Sequence, residues 1–222
     1  MAGEWFSLIG KSILESIFMT FWGSICSCTL GLILGVILAI TNKQGLNPNR
    51  IIYFAIGTLV NVIRSVPFII LLIFVGPLTR ALVGTTLGPK GVLVPLVICA
   101  APYVARVVEA ALFEVPQEIK EASRAMGAGV LTTMFRVVIP EAMPSLLSGG
   151  VITVTLILGY SAMAGIVGGG GLGDLAIRYG YYRYESQVMM FVVILLIVFV
   201  QVIQYSGFKI VKKIDKRKTG GK

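Results

Sequence analysis

Four stretches of the chain run on with scarcely a charge: Ser16 to Ile40, Val92 to Phe113, Pro144 to Val167 and Val188 to Ile210. About 20 apolar residues in a helix cross a hydrocarbon core, and a helix bonds every backbone group within itself. Charged residues make up only 13% of the 222 residues, and histidine is absent. A water-soluble domain of that size would lack the polar side chains to cover its surface. The chain therefore reads as all-α and polytopic in a membrane.

A fifth span is less clean. The uncharged run Phe68 to Thr79 is too short to cross alone. Extending it back through Asn61 and Arg64 to Gly57 gives enough length, with Arg64 near one end, where its guanidinium can snorkel to water. Five spans result, over 16–40, 57–79, 92–113, 144–167 and 188–210, and an odd number puts the termini on opposite sides. A cytoplasmic C-terminus gathers Lys43, Arg50 and Arg64 in one loop region, Arg106, Lys120, Arg124 and Arg136 in the next, and the seven basic residues from Lys209 to Lys222 on the same side. Lys11, Arg80, Lys90, Arg178 and Arg183 remain opposite. The positive-inside rule then orients the N-terminus outward and the C-terminus inward. The net charge of +9 follows from that asymmetry and from anionic lipid; no basic and aromatic pattern points to nucleic acid.

Several patterns carry less than they first offer. The N-terminal apolar run is too long for a signal-peptide core and has no small-residue cleavage pattern, so 1–15 reads as an extracytoplasmic N-terminus ahead of an uncleaved span. Cys26, Cys28 and Cys99 lie in apolar runs without metal-ligand spacing and read as buried small hydrophobes. "IGKS" at 9–12 lacks the glycine and the preceding strand of a phosphate-binding loop. "GGGGLG", Gly168 to Gly173, satisfies a dinucleotide pattern by spacing alone, and reads as a tight turn at the mouth of a membrane helix. Gly31 with Gly35, and Gly165 with Gly169, are pairs that let helices pack closely.

One loop differs in kind. "PQEIKEASRAMGAG", from Pro116, places a proline at the start, Glu118 and Glu121 early, Arg124 late, and Gly127 with Gly129 as stops. The pattern predicts a helix over 117–127, too short and too charged to cross a membrane. Ile119, Ala122 and Met126 share one side of it; Glu118, Glu121 and Arg124 share another. Val130, Leu131, Met134, Phe135 and Val138 then restart an apolar pattern leading through Pro140 and Pro144 into the fourth span. A short amphipathic helix thus hangs between two membrane helices on the cytoplasmic side.

Glu121, Ala122, Ser123, Gly127, Val137, Ile139 and Pro140 occupy the slots of a loop pattern found in ATP-binding-cassette importer permeases, and the loop resembles theirs. Ser123, Val137 and Ile139 depart from that pattern conservatively. Asn61 to Gly88 and Gly159 to Tyr184 make most of the chain, about Ser16 to Arg217, similar to the methionine-importer permeases, five-span members of the type I class. The resemblance implies a coupling helix seated on a separate ATPase that holds ATP and magnesium, no cofactor on this chain, and no catalytic residue. It also implies a homodimer, two ATPase subunits, an extracytoplasmic methionine-binding protein, and uptake of L- and D-methionine through a bacterial inner membrane. Residues 16–211 would form the permease body and 212–222 a basic cytoplasmic tail.

A hydrated path needs polar or small groups inside the spans, and two segments offer them: Asn61, Arg64 and Ser65, and Tyr160, Ser161 and Met163. Each has a plainer alternative. Arg64 can anchor to headgroups, Ser161 can bond back to its own helix, and Met163 can fill a core gap. Two other functions also stay open, a permease for another amino acid or small polar solute, and an ATP-independent channel or scaffold.

Overall fold

A computed structural model describes residues 2–215, with side-chain surroundings from Trp5 onward. Lys216, Arg217, Lys218 and Lys222 of the basic tail lie outside the described residues. The long helices are α1 (Ala2–Thr41), α5 (Gly88–Phe113), α8 (Ile139–Ala164) and α10 (Ser186–Ile214). Between them come α2 (Arg50–Ser65), α3 (Phe68–Phe74), α4 (Gly76–Val83), α6 (Gln117–Ala125), α7 (Val130–Thr133) and α9 (Gly171–Leu175). Among the described residues four helical stretches are long and apolar enough to cross a membrane: Trp5–Thr41, Gly88–Phe113, Val130–Val167 and Ser186–Ile214. A fifth exists if α2 and α3 are counted together across their break. That break falls at Val66 and Pro67, because the proline lacks the N–H a continuing helix needs and biases the residue before it away from helix. The helix α1 also takes in most of 1–15, where Lys11 pairs with Glu15 one turn on (3.9 Å) and Trp5 meets the Tyr179 ring edge-on at 5.1 Å.

Two compact units divide the chain. One gathers the chain up to Ser27, Val66–Ala100 and Thr153–Gln204; the other gathers Cys28–Ser65, Ala101–Ile152 and the chain from Tyr205. In the first, Leu172, Leu175 and Val192 form a buried cluster with Leu8, Ile9 and Ile13 against it. The glycine run there is a structural turn. Glu15 accepts a hydrogen bond from the Gly171 N–H (2.8 Å), and the Ser16 hydroxyl accepts one from the Leu172 N–H (2.9 Å). Side chains of α1 therefore fill the place at the start of α9 where a nucleotide phosphate would sit.

The second unit has its own core, with Val104, Val108 and Leu112 of α5 packed with Val36, Met134 and Val138. The spacing Gly31 to Gly35 works inside this chain, because it lets α1 lie directly on α5. A Cβ on Gly35 would stand 2.6 Å from both the Ala105 carbonyl oxygen and Val108 Cβ. Gly35→Val is therefore expected to lower stability by about 1–3 kcal/mol or more, as overpacking against a helix backbone does. Gly10→Ala, where an added Cβ meets nothing within 4 Å, should not. Thermal unfolding of the two variants in one detergent compares them directly, and equal melting would remove the close approach from the account.

Candidate functional site

The helix α6 starts after Pro116, which sits just outside the first turn with extended backbone (φ −52, ψ 141). Glu118 lies in its first turn and Arg124 in its last, each at the end its charge favours. Its far end is a Schellman closure. The Gly127 N–H donates to the Arg124 carbonyl (2.9 Å) and the Ala128 N–H to the Ser123 carbonyl (3.2 Å). That geometry puts Gly127 in the left-handed region, at φ +84, which only glycine enters freely. Gly129 is different: it precedes α7 in ordinary extended backbone (φ −70, ψ 165), so it imposes no such demand.

The face that α6 buries is the unexpected one. Lys120 and Ser123 turn inward. The Ser123 hydroxyl is 3.1 Å from that of Thr133, and the Lys120 ammonium lies over the Phe113 ring at 5.5 Å from its centroid. Lys120 is 7% exposed, and burial pushes its ammonium below the ordinary lysine range. Outward go Glu118, Glu121 and Arg124, and also the apolar stripe, with Ala122 exposed, Ile119 at 36% and Met126 at 82%. Leu131 and Phe135, beyond the turn, are exposed as well. A nine-residue helix that buries a lysine and ends on an exposed methionine cap presents an apolar surface rimmed with charge, the composition of a contact surface rather than of a solvated face.

After the turn, Met134–Val138 forms a π-helical turn in which the Ile139 N–H reaches back to the Met134 carbonyl. This wide turn immediately precedes Pro140, whose ring would otherwise press on the Arg136 carbonyl and which has no N–H to offer. Met134 and Val138 anchor the turn in the core, Val137 and Ile139 are half-buried, and Pro140 is exposed. The loop motif is therefore continuous with α8 and rests on α5.

Asn61, Arg64 and Ser65 fall in the second unit. Asn61 accepts a hydrogen bond from Arg106 Nη2 at 2.9 Å, the Ser65 hydroxyl donates to the Asn61 carbonyl (2.9 Å), and the Arg64 guanidinium lies 5.9 Å from the Tyr103 ring centroid. Tyr160, Ser161 and Met163 fall in the first unit. Tyr160 stacks on Phe68 (4.7 Å, rings 8° from parallel), the buried Ser161 hydroxyl donates to the Leu158 carbonyl at 2.8 Å, and Met163 is exposed. The Asn61 side-chain oxygen and the Ser65 and Ser161 hydroxyls are thus held by internal bonds. Among the described residues no group of three His, Cys, Asp or Glu side chains could hold a metal ion.

Lys120, Thr133 and Phe113, which seat α6, carry no signal of that role in the sequence. Thr133 follows Ser123 by ten residues across a turn, so no helical period links them. Phe113 and Lys120 lie on two helices whose angle sequence does not reveal.

Residues 31–220 match a family described as the binding-protein-dependent transport system inner membrane component. The chain belongs to this family. This permease has the all-helical fold of type I importer permeases, in a multi-pass inner-membrane chain. It is 44% identical over 218 residues to the probable D-methionine transport system permease protein MetI of Vibrio cholerae, covering 96% of this chain and 97% of that one. It is 42% identical over 181 residues to the methionine import system permease protein MetP of Bacillus subtilis, 82% of each chain. A chain in the native crystal form of the inward-facing MetNI methionine ABC transporter superimposes with a TM-score of 0.95 at 41% identity, covering 97% of the permease and all of that chain.

Proposed function

We propose that this permease is the membrane subunit of an ATP-driven importer of L- and D-methionine. It works as a homodimer, takes solute from an extracytoplasmic binding protein, and is driven by two separate ATPase subunits that hold ATP and magnesium. The observation that carries the reading is the outward apolar stripe of α6, closed by a left-handed glycine. A loop between two membrane helices has no reason to expose Ile119 and Met126 to water, and a partner that covers them removes that cost. Methionine as the solute is supported by the relatives and by the likeness to the methionine transporter.

The mechanism is alternating access. Closure of the ATPase subunits carries α6, and because its end is fixed by the Schellman bonds and its inward face by Ser123 and Lys120, it moves as a rigid piece. The motion enters the membrane through α5 on one side and the π turn into α8 on the other. This chain performs no chemistry on ATP; it contributes different contact free energies to two states of its partner. The N-terminus lies outside and the C-terminus inside, which puts α6 and the lysines of the last turn of α10 on the ATPase side.

Uptake of labelled methionine by the complex reconstituted with ATP inside the vesicles tests both parts. ATP-dependent uptake that excess unlabelled methionine abolishes, and other amino acids do not, is the expected result. Equal competition by unrelated amino acids would move the assignment to another solute, and a chain that never copurifies with a cassette ATPase would remove the importer class altogether.

A further inference from the structure

The turn between α1 and α2 surrounds a cavity of about 630 Å³ lined by Thr41, Asn42, Lys43, Pro48, Arg50 and Tyr53. The turn is firmly built. The Asn47 N–H donates to the Ile40 carbonyl (3.0 Å) and the Asn49 N–H to the Thr41 carbonyl (2.9 Å), Leu46 is buried in the core, and Asn49 caps α2 by accepting from the Ile51 and Ile52 N–H groups, both at 3.1 Å. Lys43 and Arg50 are exposed at its rim, and neither pairs with an acidic side chain among the described residues. Glu109 has a carboxylate bonded to Arg106 at 2.6 Å and approached by the Asn42 amide at 3.5 Å. The Tyr53 hydroxyl also engages Arg106. Two cations therefore border one cavity, and the buried carboxylate beside it is already committed.

We propose that this cavity binds a phosphate group, with Arg50 and Lys43 as its cationic contacts. A guanidinium presents a planar fork matched to two phosphate oxygens, and an ammonium adds a point charge. The capped start of α2 leaves these side chains, rather than free backbone N–H groups, to hold the anion. The surroundings favour a phospholipid headgroup as the source. Ile51 and Phe54, next along α2, are 82% and 71% exposed, an apolar surface for acyl chains beside a cation-bordered cavity large enough for phosphate and glycerol. The site goes beyond the transport reading and does not depend on the solute carried.

The full chain in a neutral detergent, titrated with short-chain phosphatidylglycerol and followed by native mass spectrometry, tests the site. Wild type should retain phosphatidylglycerol in preference to phosphatidylcholine of the same chain length. Lys43→Gln/Arg50→Gln should weaken that retention about 30-fold, the effect of removing two cations from an anionic lipid contact. Arg80→Gln/Lys90→Gln removes the same charge from two other exposed positions and should retain the lipid. Displacement by inorganic phosphate would assign the site to the free ion; persistence of the lipid against it would assign the site to the headgroup. Equal retention in wild type and Lys43→Gln/Arg50→Gln, or equal loss in both double variants, would overturn the site.

Discussion

Gly127→Val is expected to cut ATP-driven uptake at least tenfold while leaving the chain in the membrane and bound to its ATPase. Gly127 stands at φ +84, and a Cβ added there meets nothing within 4 Å. The penalty is therefore conformational rather than steric. A non-glycine residue in the left-handed region costs about 1–2 kcal/mol, and a β-branched one sits worst there. The two bonds that depend on this geometry, Gly127 to Arg124 and Ala128 to Ser123, contribute roughly 0.5–1.5 kcal/mol each. A helix of nine residues has little intrinsic stability to absorb such a loss, so its last turn should unravel. Met126, the exposed C-cap of α6, closes that turn. Because 1.4 kcal/mol is a tenfold change in an equilibrium, the combined penalty of about 2 kcal/mol or more is enough. Gly127→Asn, which tolerates this backbone, should keep most of the activity, and Gly129→Ala should resemble wild type. The measurement is uptake per ATP hydrolysed in vesicles. Normal uptake by Gly127→Val, or an equal deficit in Gly129→Ala, would show that the turn does not transmit force.

That pair of glycines marks the limit of what sequence makes legible. Both stand where helix punctuation belongs, and composition cannot say which one adopts positive φ; the answer depends on where the Schellman bonds close. The membrane helices were legible because a span is a local property, about 20 apolar residues in a row. The break at Val66 and Pro67 was less so, since a proline can either kink a span or end it. For α6 the period identified the stripe Ile119, Ala122, Met126 but not its direction, because direction is set by what lies beneath, and that is Phe113 and Thr133. The glycine run Gly168 to Gly173 reads as a tight turn from sequence, but what closes that turn is not legible there. The groups that close its N–H donors, Glu15 and Ser16, come from another helix 156 residues away along the chain.

Arg106→Ala should be the most destabilising single change in the second unit. Arg106 and Glu109 stand three residues apart, a spacing at which a helix pairs them; the structure adds partners from α2 that no local pattern contains. Arg106 Nη1 donates to Glu109 (2.6 Å), and Nη2 donates both to Asn61 (2.9 Å) and to the Gly57 carbonyl (3.2 Å). Gly57 keeps the approach open, since a Cβ there would lie 3.3 Å from Nη2. Glu109 is buried, and Arg106 is the cation that holds its charge. Truncating Arg106 strands that carboxylate, and breaking a buried pair from one side costs about 3–5 kcal/mol. Glu109→Gln should cost less, because it removes the charge together with its need for a cation. The decisive variant is Arg106→Met/Glu109→Met. If the large loss comes from an orphaned charge, the double variant melts above Arg106→Ala despite having lost more polar groups, since exchanging a buried pair for apolar side chains is often neutral. Arg106→Lys should fall between wild type and alanine, because an ammonium cannot hold Glu109, Asn61 and Gly57 with the geometry of a planar fork. Thermal unfolding of the four variants in one detergent ranks them. If the double variant melts at or below Arg106→Ala, the guanidinium matters chiefly through its bonds to α2, and the prediction about Glu109 is wrong.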